Sequence, residues 1–186
     1  QYPELAHLPF VDVNIVADGE TLQAIEASSQ DFVIANHILE HCQNPLLAIE
    51  NMLRVLKPSG VLYIAVPDKR YSFDIDRPVT PYSHLAQDYS TGGNASRKQH
   101  YEEWVKFVLK TTDEEEAARK TARLMRDDYS IHFHVWTQVE MVEMALNLRR
   151  LFPFEICLIC ANITEVIIIL RTLPSQIPQS KDILVS

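Results

Sequence analysis

The sequence predicts an α/β fold, a mostly parallel sheet that ends in an antiparallel hairpin. Three observations carry that expectation. Residues 31–35 (Asp-Phe-Val-Ile-Ala) and 61–66 (Val-Leu-Tyr-Ile-Ala-Val) are short and continuously apolar, as strands covered on both faces must be. Between them, Leu46, Ile49, Met52, Leu53 and Leu56 recur on one helical face. Near the end, residues 154–160 and 165–170 are two more strand-like runs, joined by a tight turn at Asn162. Strand, helix and parallel strand make one βαβ unit with a right-handed crossover.

The elements of that unit have local grounds. Asn44 can cap a helix, and Pro45 suits its first position, where no amide donor is needed. Lys57 sits favourably at the negative helix end, and Pro58 stops the helix. Upstream, residues 11–15 alternate apolar and polar, the pattern of a strand with one wet face. Asp18, Gly19 and Glu20 form a turn, and residues 22–27 are expected as a short helix.

Downstream, residues 68–81 make a polar, proline-punctuated loop at the carboxyl end of a central strand, the end where open α/β sheets bind ligands. Residues 83–89 are a helical turn, and Ser96-x-x-Gln99 has the form of a capping box. Tyr101, Trp104, Val105 and Val108 follow on one face and are expected in a core. Residues 113–116 open a helix with acidic charge suited to its positive end. Residues 129–136 alternate, which predicts His132, His134 and Trp136 on one side. Thr137-x-x-Glu140 is a second capping box, with Val139, Val142, Ala145 and Leu146 behind it. From Pro174 onward the chain is expected as a loose tail.

Composition narrows the function. Apolar content of 47% and charged content of 23% over 186 residues describe an ordinary single globular domain. A net charge of −8 argues against nucleic acid as main partner. No apolar run reaches membrane-spanning length, so no membrane partner is expected either. Three cysteines, Cys42, Cys157 and Cys160, make no disulfide framework, which fits a cytoplasmic protein, and Cys157 and Cys160 are expected as small buried hydrophobes.

The residues also carry a resemblance. Residues 31–41 (Asp-Phe-Val-Ile-Ala-Asn-His-x-x-Glu-His), then Arg54-Val-Leu-Lys-Pro-x-Gly60, then a strand ending Pro67-Asp68, resemble class I S-adenosylmethionine-dependent methyltransferases, nearest the small-molecule branch called type 11. The resemblance covers that family's fourth and fifth strands and, more loosely, the chain to about Arg171. It implies a Rossmann-like sheet, S-adenosyl-L-methionine as cofactor and a small-molecule or glycan-type methyl acceptor. It implies that Asp18 accepts from the adenine amino group, that Gly19 lets backbone come close, and that Asn36 and His37 line the methionine end. The family usually has a second glycine where this chain has Ser59.

The glycine-rich turn of the family's first strand has no counterpart, since Gly19, Gly60, Gly92 and Gly93 form no Gly-x-Gly. The expectation is a piece of a longer protein with the family's first two strands missing. Residues 1–172 are then a partial methyltransferase domain with a helical insertion at about 82–128, and 173–186 an extended tail. The exposed edge of the 31–35 strand is expected to pair with the 11–15 strand or, failing that, with a second copy of the chain.

Candidate site residues follow. His132, His134 and His84 are candidates for the base that deprotonates a hydroxyl acceptor, and Asp68, Lys69, Arg70 and Arg77 for holding the substrate. His132 and His134 are expected to face one cleft with residues 68–77. His37-x-x-Glu-His41 matches an inverted zinc-protease pattern, but Pro45 starts the helix too late for both histidines to share a helical face. Convergent imidazoles among His84, His100, His132 and His134 could hold a metal, yet nothing in their spacing demands it, so no metal is expected. The rival to methyl transfer is a non-catalytic binding or assembly module on the same truncated fold.

Overall fold

The computed structural model describes residues 12–173. In chain order it contains β1 (Gln30–Asn36), α1 (Pro45–Val55), β2 (Leu56–Pro67), α2 (Tyr82–Thr91), α3 (Arg97–Glu103), α4 (Glu114–Arg126), α5 (Gln138–Leu148), β3 (Phe154–Asn162) and β4 (Glu165–Thr172). The sheet runs β1-β2-β4-β3, with β1 parallel to β2 and β4 antiparallel to both its neighbours. The βαβ unit and the hairpin therefore stand where the apolar runs put them. The α/β class holds, with a mixed sheet.

Local chemistry explains α1. Asn44 accepts from the amide of Leu47 at 3.1 Å, and Pro45 occupies the first turn. Leu46, Ile49, Met52 and Leu53 pack on one sheet face with Leu62, Ile64, Val66, Ile168 and Leu170, and α5 adds Met141, Met144 and Leu148. On the other face Phe32 and Ile34 remain 65% and 58% exposed, against the expectation of a strand covered on both sides. A second core lies in the helical region, where Tyr101, Trp104, Val105, Leu124, Ile131 and Phe133 are buried together.

At the exit of α1, Ser59 takes φ +65° and Gly60 packs against the preceding turn. A Cβ on Gly60 would stand 2.8 Å from the Lys57 carbonyl oxygen, so only glycine fits.

Several expectations fail for identifiable reasons. Val11 lies outside the described residues, and residues 12–17 form no strand and stay exposed. Among the described residues β1 pairs with β2 alone. Residues 22–27 turn instead of forming a helix, because Arg54 takes the carbonyls of Leu22 and Ile25 at 3.0 and 3.1 Å and Asn51 takes that of Glu20 at 2.9 Å. The α5 face is rotated from the expected one: Val139 and Leu146 are exposed, while Met141, Met144, Ala145 and Leu148 are buried. Cys157 is exposed, not buried, beside a bulge in β3. The expected tail beyond Leu173 lies outside the described residues.

The two capping boxes diverge. Thr137 and Glu140 form theirs reciprocally. Ser96 makes no cap; its hydroxyl donates to Asp88 Oδ1 at 2.6 Å.

Candidate functional site

β1 and β2 are parallel, so their carboxyl ends share one side of the sheet, and antiparallel β4 begins there. His37 leaves β1 with φ +50°, a left-handed conformation costing about 1–3 kcal/mol. Its Nε2 lies 2.8 Å from Glu165 Oε1, and its Nδ1 is 3.4 Å from Glu40 Oε1. Glu40 follows in a single 3-10 turn, Leu39–His41. The expected irregular connection is what forms, and no regular helix sets His37 beside His41.

The Glu40 carboxyl is buried, and neither of its oxygens has a hydrogen-bond partner. Burial pushes its pKa up, partly offset by a backbone hydrogen bond and by His132, His41 and His37. The Glu40 carbonyl accepts from the amides of both Phe133 and His134, at 2.7 and 3.4 Å. In a pleated strand successive amides point to opposite sides. Here two of them converge on one oxygen, so residues 132–134 depart from strand geometry. The alternation that put His132 and His134 on one side therefore breaks, and they enter different clusters.

His132 belongs to the first cluster. Its Nδ1 is 2.6 Å from Asp74 Oδ2, and Arg77 donates to Asp74 Oδ1 at 3.1 Å. Burial raises the Asp74 pKa, but the His132 hydrogen bond and the charges of His132 and Arg77 outweigh it, so the carboxyl stays below its ordinary value. An ionised carboxylate can only accept, so Nδ1 carries the proton of this hydrogen bond. Phe73 and His41 lie over the imidazole at centroid distances of 4.8 Å each, and Trp104 at 6.0 Å. Tyr71, Phe73 and Ile75 on the same loop are all more than half exposed, an apolar rim beside the imidazole.

His84 and His134 belong to the second cluster, with Asp88 and His100. His134 is fully buried, with Nε2 at 3.3 Å from the Gln43 carbonyl. Burial first, and then the charge of His100, hold His134 well below the ordinary histidine value, and therefore neutral. The Nδ1 atoms of His100 and His134 have no partner.

The expected substrate-binding residues separate by burial. Arg77 is buried and bonds Asp74 and the carbonyls of His132 and Phe133, at 2.7 and 3.1 Å for the latter two. Its guanidinium braces the fold from a buried position, whereas the expectation placed it at the surface. Asp68 is also buried and is taken up by Arg70, with contacts of 2.6–3.2 Å. Arg70 and Lys69 are the two that remain at the surface side of the loop, with Lys69 donating to the Ile75 carbonyl at 2.7 Å.

Of the expected cofactor residues, Asn36 ends β1 and His37 follows it directly. Asp18 does not fit its role so well, because its Oδ1 accepts from the amides of Glu20 and Thr21 and closes its own turn. Gly19 has room for a Cβ, with Ile38 3.8 Å away, so close backbone approach is not what selects it.

Sequence reasoning missed Asp74 and Asp88 as site members and weighed Glu40 only within the protease pattern. Asp88 had a usable signal, since it stands four residues after His84 on one helical face. Asp74 stands three residues before Arg77 in an irregular loop, where no period announces it.

With this geometry in hand, comparison with known proteins identifies the βαβ unit. Residues 4–64 match the Methyltransferase domain family. The match ends inside β2 and so includes His37, Glu40 and His41, but none of the later loop and helices.

No curated protein matches the chain. Among solved structures it is similar to a Methanococcus maripaludis protein named as an S-adenosyl-L-methionine-dependent methyltransferase, at 14% identity and a TM-score of 0.40, over 87% of this chain and 55% of that one. It is also similar to the [4+2]-cyclase SpnF, at 15% identity and TM-score 0.34, over 84% of this chain and 54% of that one. A Galdieria sulphuraria protein named as a sarcosine dimethylglycine methyltransferase gives 16% and 0.32, over 84% and 58%. The chain thus spans a little over half the length of each. Among the described residues no helix is long and apolar enough to cross a membrane.

Proposed function

We propose that this chain is part of an enzyme that transfers a methyl group from S-adenosyl-L-methionine to a hydroxyl of a small-molecule or glycan-type acceptor. The observation that carries the reading is the buried Asp74–His132 pair beside the strand ends of a methyltransferase-family unit.

The residues fit the cofactor at one end. Glu40 offers a buried carboxylate without a partner, close to Asn36 and His37, which suits the cationic end of the molecule. When bound, the cofactor supplies an electrophilic methyl group on a sulfonium centre. The protein's part is to hold the acceptor, exclude water and receive a proton. Asp74 keeps the His132 Nδ1 protonated, which leaves Nε2 to take the acceptor's proton, and its charge then steadies the imidazolium. Arg77 fixes both partners by bonding the Asp74 carboxylate and the His132 carbonyl. Lys69 and Arg70 are the side chains to meet an anionic group on the acceptor.

Calorimetric titration with S-adenosyl-L-methionine, followed by a methyl-transfer screen over hydroxylated acceptors, tests the reading. Heat of binding and methylated product are expected. Absence of heat at high micromolar cofactor would remove it and favour the second reading, an assembly module. That alternative draws on the open sheet face, a cleft of about 350 Å³ lined by Phe32, Val33, Ile34, Asn36, Val61 and Tyr63. Pairing of two copies there would give a dimer in sedimentation.

A further inference from the structure

Four side chains from three separate elements converge away from the Asp74–His132 pair. His84 and Asp88 lie one turn apart on α2, His100 on α3, and His134 on the irregular segment before α5. One donor atom from each lies within 4.8 Å of all the others. His84 Nε2 is 3.1 Å from both His100 Nε2 and Asp88 Oδ2. Asp88 Oδ2 is 3.8 Å from His134 Nε2 and 3.9 Å from His100 Nε2. Donors held tetrahedrally at about 2.0–2.1 Å from zinc stand about 3.3 Å apart, and these separations bracket that value.

The chemistry of the set agrees. Asp88, His100 and His134 are buried, at 1%, 3% and 0% exposure. Asp88 Oδ2 makes no aligned hydrogen bond despite its close neighbours. Its other oxygen accepts from Ser96 at 2.6 Å, and its carbonyl accepts from Asn44 at 3.1 Å, so the carboxylate is aimed from outside the cluster. Three imidazole nitrogens facing one unpartnered oxygen cannot all be satisfied by hydrogen bonds among themselves. A single cation would satisfy the unpartnered Asp88 oxygen and the imidazoles together, with His134 Nε2 giving up its 3.3 Å contact to the Gln43 carbonyl.

The geometry points to a structural divalent-metal site, filled by zinc and held by His84, Asp88, His100 and His134. Three nitrogens and one oxygen suit zinc. Four protein ligands close the coordination sphere, as in structural sites and unlike catalytic ones, which keep a position open. The site would pin α2 and α3 to the segment that also carries His132. The inference stands apart from the methyl-transfer reading, since it rests on other residues and requires no activity.

The test uses the full chain purified without chelators or an affinity metal. Elemental analysis is expected to find one zinc per chain, and a strong chelator should lower Tm by about 10 °C, reversed by added zinc. The His84→Ala and Asp88→Asn variants should lose the metal, whereas His41→Gln, in the neighbouring cluster, should retain it. Should the variants fail to fold, cobalt loaded into the wild-type chain reports the geometry directly, with intense visible bands expected for tetrahedral coordination. Metal-free protein whose Tm ignores both chelator and zinc, or weak octahedral cobalt bands, would overturn the assignment. So would loss of the metal in His41→Gln alone.

Discussion

The Asp74 carboxylate and the His132 imidazole meet at 2.6 Å with both residues buried, although 58 positions separate them in the chain. The contact joins the loop after β2 to the segment before α5, two stretches that also meet through the Asp68–Trp136 bridge. It is the feature on which the proposed chemistry depends.

His132→Ala should lower kcat for methyl transfer by about 10²–10⁴-fold, the usual range for losing a general base, with little change in cofactor affinity. Asp74→Asn should act in the same direction through the imidazole's tautomer. A single-turnover assay beside calorimetry separates the two quantities. Full turnover in His132→Ala would remove it as the proton acceptor.

Asp74 also links stability to pH. Its folded pKa lies below its unfolded value near 3.9, so the folded state binds fewer protons and its stability contribution is present above that value. The contribution is lost as pH falls through the lower, folded pKa. Breaking the buried pair with Asp74→Asn should cost about 3 kcal/mol at neutral pH, because buried Arg77 is left with only Glu103, 3.6 Å away, as a charge partner. Urea unfolding of wild type and variant should show that difference shrink below about pH 4. A difference independent of pH would contradict the assignment.

The turn between α1 and the body of β2 offers a paired test. Gly60→Ala should destabilise by about 1–3 kcal/mol, because the new Cβ meets the Lys57 carbonyl oxygen at 2.8 Å. Ser59→Gly should stabilise by about 1 kcal/mol, since Ser59 holds φ +65°. Thermal unfolding reads both, and equal effects from the two variants would show that the turn is not shaped this way.

Thr137→Ala should lower stability by about 1 kcal/mol through loss of a formed capping box. Ser96→Ala removes no cap, so its effect should fall on metal retention rather than on α3. Helix content by circular dichroism and metal content by elemental analysis distinguish the two outcomes.

The parts legible in the sequence are those governed by short-range periodicity. The 31–35 and 61–66 runs, the Asn44-Pro45 start and the Asn162 hairpin each announce themselves within a few residues, and each forms as expected. Residues 22–27 and 129–136 depart from the expected elements because distant groups decide them. Arg54 gathers carbonyls that a helix at 22–27 would have used, and the Glu40 carbonyl bends the histidine segment out of strand geometry. Arg77 and Asp68 looked like surface charges because sequence shows a charge but not its partner. Ser96 carried a valid cap signal that a nearer acceptor, Asp88, outcompeted.

The forked acceptance at the Glu40 carbonyl divides two histidines between two chemistries, yet it belongs to the main chain. No point substitution at position 40, other than one to proline or glycine, need disturb it. The carboxyl at the same position lies buried beside His41 and His132. Geometry and charge are thus assigned to different atoms of a single residue. The charge can be retuned while the division of labour between His132 and His134 is inherited unchanged.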